Sequence, residues 1–285
     1  MKKILITGGN GFIARNLYEN LKGKYDVKTI NHQELDLLDS PKVFDYVNQK
    51  KFDVVIHSAT YDAAPKHSVK DPAKVLDNNL RMFFNIARCR DYFGKMIYFG
   101  SGAEFSREHW IPKMKENYFD EHVPKDQYGF SKYVMTKYTK SNENIINLRL
   151  FAVVGRNDDW KTRFIPNACC QAMEKETIDI HQNAFYDYLD VDDLTRVVDW
   201  FINNNSKEKV YNVCSGKTYD RRSLAEKIVK ISGEDLKINI QNKEIGKEYS
   251  GDNSLLLNEL GNFEFTPIDD SIKRLYEWYK RERNE

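Results

Sequence analysis

The chain has 285 residues, 41% hydrophobic and 13% aromatic, which is enough to bury a sizeable core and too aromatic for a disordered polymer. Its 44 Lys and Arg against 43 Asp and Glu leave a net charge of +1, which argues against a non-specific nucleic-acid binder or a membrane-surface protein. No uncharged apolar run reaches the ~18 residues of a membrane span. The short apolar stretch after Met1-Lys2-Lys3 is too brief for a signal-peptide core, so a cytoplasmic protein is expected.

In chain order, strands are predicted at Lys3–Thr7, Val27–Ile30, Val54–Ser58, Lys95–Phe99 and Ile145–Phe151. They alternate with helix-length stretches near Phe12–Lys22, Pro41–Gln49, Pro72–Phe93 and Tyr128–Lys140. That alternation implies βαβ units, hence an α/β fold with a doubly wound parallel sheet. Continuous apolar strands such as Val54-Val55-Ile56 fit a sheet covered on both faces. After Phe151 the pattern changes. A charged loop, Gly155–Lys161, leads to a helix near Ile165–Glu174, a strand-like piece at Tyr186–Leu189, a helix at Val191–Asn203 and a strand at Val210–Val213. A final helical region ends in the charged tail Lys280–Glu285. The expected division is a dinucleotide-binding domain over 1–160, to which 184–213 returns, and a smaller substrate-binding region over 161–285. The cysteines Cys89, Cys169, Cys170 and Cys214 form no C-x-x-C pair and no zinc-ligand spacing. They read as small buried residues in a reducing cytosol, and no metal site is expected.

The first strand runs into Thr7-Gly8-Gly9-Asn10-Gly11-Phe12-Ile13-Ala14, a G-x-x-G-x-x-A pattern between strand and helix. Glycines here let the backbone approach a pyrophosphate at the helix N-terminus, and Ala14 lets the helix pack on the strand. Thr7, Gly8, Asn10, Gly11, Phe12 and Ile13 are therefore expected to bind a dinucleotide. The second strand ends in Thr29-Ile30-Asn31-His32-Gln33, with no acid before Glu34. A carboxylate at that point normally meets the ribose 2′-OH of NAD. Asn31 and His32, with Arg15 just past the glycine loop, leave room for a 2′-phosphate instead, so NADP is expected over NAD.

Tyr128 and Lys132 lie at i and i+4, on one helical face. A phenol is a poor acid or base near neutrality, and a neighbouring ammonium moves its pKa toward the working range. The strand Lys95–Phe99 ends in Gly100-Ser101-Gly102-Ala103-Glu104. The carboxyl end of a parallel strand is where an open α/β sheet places its ligands, so the Ser101 hydroxyl is placed to hold a substrate oxygen beside the tyrosine. Ser101, Tyr128 and Lys132 are the predicted catalytic residues.

With these motifs in order, the chain resembles an extended short-chain dehydrogenase/reductase of the nucleotide-sugar epimerase/dehydratase branch, over nearly its whole length. The resemblance implies a Rossmann fold and further cofactor contacts. Asp36-Leu37 looks like the adenine-contacting pair, and His57-Ser58-Ala59-Thr60 resembles the strand end lining the cofactor. Leu148-Arg149-Leu150-Phe151, continuing to Gly155, resembles the strand passing the nicotinamide, and Asn79 falls where the family orients its active-site lysine. Tyr188–Asp193 and Tyr211–Gly216 match late segments of the branch. Glu34–Ser40 and Arg163-Phe164-Ile165-Pro166 look most like GDP-fucose synthases, NADPH-dependent epimerase-reductases of a GDP-4-keto-6-deoxy sugar. Substrate-side positions on this template are Tyr61, Ala103, Glu104, Arg163, Asn167 and Tyr186.

The departures bear on chemistry. Where the synthases carry a Cys and a His as acid and base for inverting carbons beside the ketone, this chain has Ala103 and Arg163. The branch's late Arg is replaced by Tyr186, and an Asn after Leu-Arg-x-Phe by Ala152. The expected function is NADPH-dependent reduction of a C4 ketone on a nucleotide-linked sugar, without epimerisation. The alternatives are a 4-epimerase or dehydratase that retains NAD, and, remotely, a non-catalytic dinucleotide-binding protein. Gly102-Ala103 after Ser101, where dehydratases place Asp-Glu, argues against dehydration. The superfamily's four-helix dimer interface maps onto Asn79–Phe93 and Tyr128–Lys140, with Met82, Phe83, Ile86, Tyr133 and Tyr138 as its apolar surface, so a homodimer is expected.

Overall fold

The computed structural model describes residues 1–63 and 68–282. Its central sheet is built from β1 (Lys3–Thr7), β2 (Asp26–Ile30), β3 (Val54–His57), β4 (Lys95–Ser101), β5 (Ile145–Leu150) and β9 (Val210–Val213). All are parallel, in the order β2-β1-β3-β4-β5-β9. This is the expected doubly wound sheet, and the strand order reverses between β1 and β3.

Both faces are covered. Helix α1 (Phe12–Leu21) and α6 (Val191–Asn203) pack Leu17, Leu21, Leu194, Val198 and Phe201 against one face. Helices α2 (Ser40–Lys50), α3 (Val75–Ala87) and α4 (Gln127–Lys140) pack Val43, Val47, Phe83, Ile86 and Met135 against the other. Their start points follow from local chemistry. Asp39 and Asp126 accept backbone N–H groups of Lys42 and Gly129, capping α2 and α4, and Pro41 opens the first turn of α2. The long helix expected over Pro72–Phe93 is shorter than its periodicity suggests. A single-turn helix at Pro72–Lys74 precedes α3, and another at Arg90–Tyr92 follows it.

The remaining elements differ more from expectation. The strand expected over Ile145–Phe151 breaks at Phe151, and β6 (Ala152–Val154) leaves the central sheet to pair with β8 (Phe185–Asp190), which also pairs with β10 (Thr218–Asp220). The stretch expected to be helical after Val213 contains β10 and β11 (Ile238–Asn242) between its helices, and β11 pairs with β7 (Ile178–Gln182). Helices α5 (Phe164–Met173), α7 (Arg221–Ser232) and α9 (Ile268–Glu282) close a separate core holding Cys169, Cys170, Leu224, Ile228, Ile272 and Leu275. Helix α8 (Ser254–Leu260) returns to the central sheet through Leu256. No helix of the described residues is long and apolar enough to cross a membrane. Of the five residues read as dimer surface, Phe83 and Ile86 are consumed by the chain's own core, while Met82, Tyr133 and Tyr138 are half-buried.

Under the carboxyl ends of β4 and β5 lies a buried ion pair. The Arg149 Nε donates to Glu104 Oε2 at 2.8 Å, and its Nη1 donates to Asn212 Oδ1 at 3.0 Å. Its plane lies over the rings of Phe105, at 4.3 Å, and Phe119, at 5.3 Å. Glu104 also accepts the Ser101 N–H at 2.9 Å, and Asn147 Oδ1 accepts the Gly100 N–H at 2.9 Å. A Cβ on Gly100 would lie 2.3 Å from the Asn147 and Glu104 side chains, so only glycine fits above this network. Removing one partner of a buried pair costs ~3–5 kcal/mol, because the other charge is left uncompensated. Arg149→Met should therefore lower the unfolding free energy by about that amount. Urea denaturation checks it; a loss below about 1 kcal/mol would show that Glu104 finds another partner.

Candidate active site

The glycine loop sits at the β1/β3 switch point, where open α/β sheets bind ligands. Gly8 has φ +73°, and a Cβ there would lie 2.8 Å from the Ala59 Cα, so the loop and the segment after β3 approach as closely as backbones can. Thr7 ties the two strand ends together: its hydroxyl accepts the Ala59 N–H at 3.1 Å and pairs with His57 Nδ1 at 3.1 Å. Burial holds His57 neutral, pushing its pKa down to about 3, and the nearby Lys132 charge adds to this. Gly11 caps α1 without a side chain, so no side chain covers the helix's first N–H groups. Ala14 is fully buried, Phe12 and Ile13 are half-buried, and Asn10, Gly11 and Arg15 are exposed along the rim. This cradle fits the pyrophosphate of a nicotinamide dinucleotide.

At the end of β2, Asn31 Oδ1 accepts the N–H groups of Gln33 and Glu34 at 2.8 and 3.2 Å. Glu34 folds back on the same turn, accepting the Asn31 N–H at 3.0 Å while Lys28 neutralises it at 3.0 Å. The exposed His32 faces Asp36 at 3.4 Å. Leu37 is buried under α2 and α3. Ser58 and Ala59 are half-buried and Thr60 exposed along the strand end. Asn79 does not bond the lysine. Both its amide donors and its carbonyl are taken by Val75 O and by Thr60 and Tyr61, at 2.8–3.2 Å, so it fixes the loop after β3.

Tyr128 and Lys132 lie on one face of α4, and Ser101 stands at the end of β4. The Ser101 hydroxyl is near enough to Tyr128 to pull the Tyr128 pKa down. Lys132, one turn further along α4, donates to the Phe99 carbonyl at 2.9 Å and lies over the Tyr98 ring at 4.8 Å. Burial draws its pKa down to about 8, against the pull of Glu104 and Asp62. The ammonium stands 5.7 Å from the Tyr128 ring centre and is anchored to the sheet. Here the outcome departs from the sequence argument. Burial, and then the Asp62 charge, raise the Tyr128 pKa, outweighing the Ser101 hydrogen bond and the charges of Arg163 and Arg107. The phenol is held protonated, the state needed to give a proton to a ketone oxygen.

Tyr128 opens onto a cavity of about 270 Å³ lined also by Asp62, Ala63, Pro72, Val75 and Gln127. Arg163, at the N-terminus of α5, reaches Asp62 at 4.0 Å. Of the other substrate-side residues, Tyr61 turns its hydroxyl to accept the Asp71 N–H at 2.9 Å, and Asn167 is half-buried on α5. Ala103 is 1% exposed and Glu104 is fully buried against Arg149. Glu104 therefore acts on the site through the Ser101 backbone. The Tyr186 hydroxyl accepts from Arg221 at 3.0 Å, and its ring lies 5.9 Å from that of Tyr249. Phe151 packs on Tyr249 at 5.1 Å. Sequence reasoning missed Asp62, Arg221 and Tyr249. Asp62 follows Tyr61 directly and was within reach of a local reading, whereas the other two arrive from distant segments that only packing brings in.

The family described as "NAD dependent epimerase/dehydratase family" matches residues 4–214. The GDP-L-colitose synthase of Yersinia pseudotuberculosis is 22% identical over 99% of this chain and 99% of its own. The GDP-6-deoxy-D-talose 4-dehydrogenase of Aggregatibacter actinomycetemcomitans is 25% identical over 96% of this chain and 97% of its own. Among solved structures, the GDP-mannoheptose C4 reductase of Campylobacter jejuni, with NADP bound, superposes with a TM-score of 0.85 at 21% identity, covering 98% of each chain.

The buried lysine has a measurable signature. Below about pH 8 folded and unfolded chains both hold its proton, and the folded chain bears the full cost of a desolvated ammonium. Between about 8 and the ordinary 10.5 only the unfolded chain holds it, so this burden on the folded state lifts as pH rises. Lys132→Met should thus be more stable than the parent at pH 7, by on the order of 2 kcal/mol, with the advantage shrinking toward pH 10. Urea titrations at both pH values test this; an advantage that does not change with pH would refute it.

Proposed function

Since the chain belongs to the NAD dependent epimerase/dehydratase family, the extended dehydrogenase/reductase group its motifs resemble, we propose that it is an NADP-dependent oxidoreductase. Its reaction is reduction of the C4 ketone of a nucleotide-linked 4-keto-6-deoxy sugar, without inversion at C3 or C5. The observation that carries this reading is Tyr128 on the wall of a cavity, one helical turn from Lys132, with burial raising its pKa. When bound, the dinucleotide supplies the hydride. Tyr128 gives its proton to the C4 oxygen, and the Ser101 hydroxyl holds that same oxygen. Lys132 stabilises the phenolate left behind, a stronger effect in a water-poor site than in solution.

Inversion of a neighbouring carbon needs a base on one face and an acid on the other. Ala103 has no proton to give and no room around it. Arg163 is permanently charged, a poor base, and turned toward Asp62. The relatives' names put GDP first among nucleotides to try. In this reading the dinucleotide lies on residues 1–160 with 184–213, the sugar nucleotide lies on the remainder of 161–285, and the protein works in the cytoplasm. Met82, Tyr133 and Tyr138 remain the candidate surface for a homodimer.

The test is a panel of GDP-, CDP-, UDP- and dTDP-linked 4-keto sugars with NADPH, run in D₂O, with the product read by NMR. Reduction at C4 with no deuterium on C3 or C5 above a no-enzyme control is expected. Deuterium there would show a working base in the cavity, with Asp62 the first residue to replace. Tightly held NAD with no net NADPH consumption would favour the 4-epimerase reading.

Cofactor choice is testable at one residue. Asp at position 31 can accept the same two backbone N–H groups that Asn31 accepts, so Asn31→Asp changes charge without undoing the turn. The parent should prefer NADPH in kcat/KM, and Asn31→Asp should move the preference toward NADH by about 10-fold or more. Equal use of both cofactors by the parent would contradict the assignment.

A further inference from the structure

Tyr249 enters the site from the far end of the chain. Its hydroxyl stands 3.4 Å from Ser101 Oγ, across 148 positions of sequence. The ring is 8% exposed and confined on every side: Trp110 lies at 4.3 Å, Phe151 at 5.1 Å and Tyr186 at 5.9 Å. Its backbone is pinned to β8, donating to the Phe185 carbonyl at 2.8 Å and accepting from the Asp187 N–H at 3.1 Å. Two glycines make the space. A Cβ on Gly102 would lie 2.7 Å from the Tyr249 ring, and one on Gly251 would lie 2.5 Å from the Phe151 ring. The phenol therefore has one place to be, and it is beside the serine.

Valence counting limits what Ser101 can do with its hydrogen bonds. A serine hydroxyl has one proton and two acceptor lone pairs. The Ala103 N–H takes one lone pair of Ser101 at 3.2 Å. At 3.4 Å either hydroxyl of the Ser101–Tyr249 pair can be the donor; burial keeps Tyr249 protonated, so its proton is available to the second lone pair of Ser101. We propose that Tyr249 is a positioning residue: its hydroxyl fills the remaining acceptor site of Ser101, so that the serine's single proton is directed toward Tyr128 in the free protein and toward the reacting carbonyl oxygen of the substrate. This rests on the reading of Ser101 and Tyr128 as the groups that hold and protonate that oxygen. Trp110 braces the arrangement, its indole N–H donating to the Gly102 carbonyl at 3.2 Å.

Tyr249→Phe keeps the packed ring and deletes only the hydroxyl. It should lower kcat about 3- to 10-fold, the worth of one ordinary hydrogen bond, with KM for the dinucleotide unchanged. Ser101→Ala should cost more, and the double variant no more than Ser101→Ala alone, because Tyr249 acts through the serine. A second readout needs no turnover. In ultraviolet difference titrations against Tyr128→Phe, the Tyr128 midpoint should rise in Ser101→Ala, rise in Tyr249→Phe, and rise no further in the double variant. Additive losses, or a Tyr128 midpoint indifferent to Tyr249, would overturn the proposal. Near-full turnover by Tyr128→Phe would instead overturn the proposed reaction, and the titration would still decide the role of Tyr249.

Discussion

The position of the candidate site hangs on the buried Glu104–Arg149 pair. Arg149 belongs to β5 and Glu104 to the turn after β4, and the carboxylate that the arginine holds also accepts the Ser101 N–H. Asn147 on β5 and Thr136 on α4 join the same network, through a 2.7 Å hydrogen bond. The end of β4, the neighbouring strand and the helix carrying Tyr128 and Lys132 are thus locked in one polar cluster. Buried pairs are weak sources of net stability, since desolvation consumes most of the Coulombic gain. What this pair supplies is geometry: neither Ser101 nor α4 can shift without breaking a hydrogen bond that has no water to replace it.

Ser101 is therefore governed from two directions. Glu104 sets its backbone from beneath, and Tyr249 meets its hydroxyl from above, each through a residue type that would be costly to bury without its partner. Lys132 adds a third strained element, an ammonium buried against a backbone carbonyl and an aromatic face. A site of this kind concentrates unfavourable desolvation where chemistry needs low dielectric, and the apolar cores on both sheet faces compensate for it.

Features that depend on neighbouring residues were legible in the sequence. The glycine loop declares itself because strand, turn and helix are contiguous, and the Tyr128/Lys132 pair because four residues make one helical turn. The doubly wound parallel sheet followed from the alternation of elements, though the order of its strands did not. Harder to read were features created by packing. Glu104 looked like a substrate contact because it follows the serine closely, and only burial beside Arg149 shows which way it faces. The rise in Tyr128's pKa was unforeseen because the sequence shows the ammonium but hides the desolvation and the Asp62 charge. Past Val213, β10 and β11 are short strands between amphipathic helices, and the helical periodicity of α7 and α9 masks them. Pro72–Phe93 had one continuous pattern, yet its ends tighten into single turns around α3.

The order of strands also dictates when this protein becomes complete. The neighbour of β5 in the central sheet is β9, some sixty residues further along, and α1 waits for α6 to cover its side of the sheet. Tyr249 arrives later still. As the chain leaves the ribosome, the dinucleotide cradle can close early, from contacts among the first sixty residues, whereas β5 stays an open edge until Val210–Val213 is made. An unpaired apolar edge is a template for wrong pairing. Until β9 is made, the apolar edge of β5 is the part of the nascent chain most open to wrong pairing.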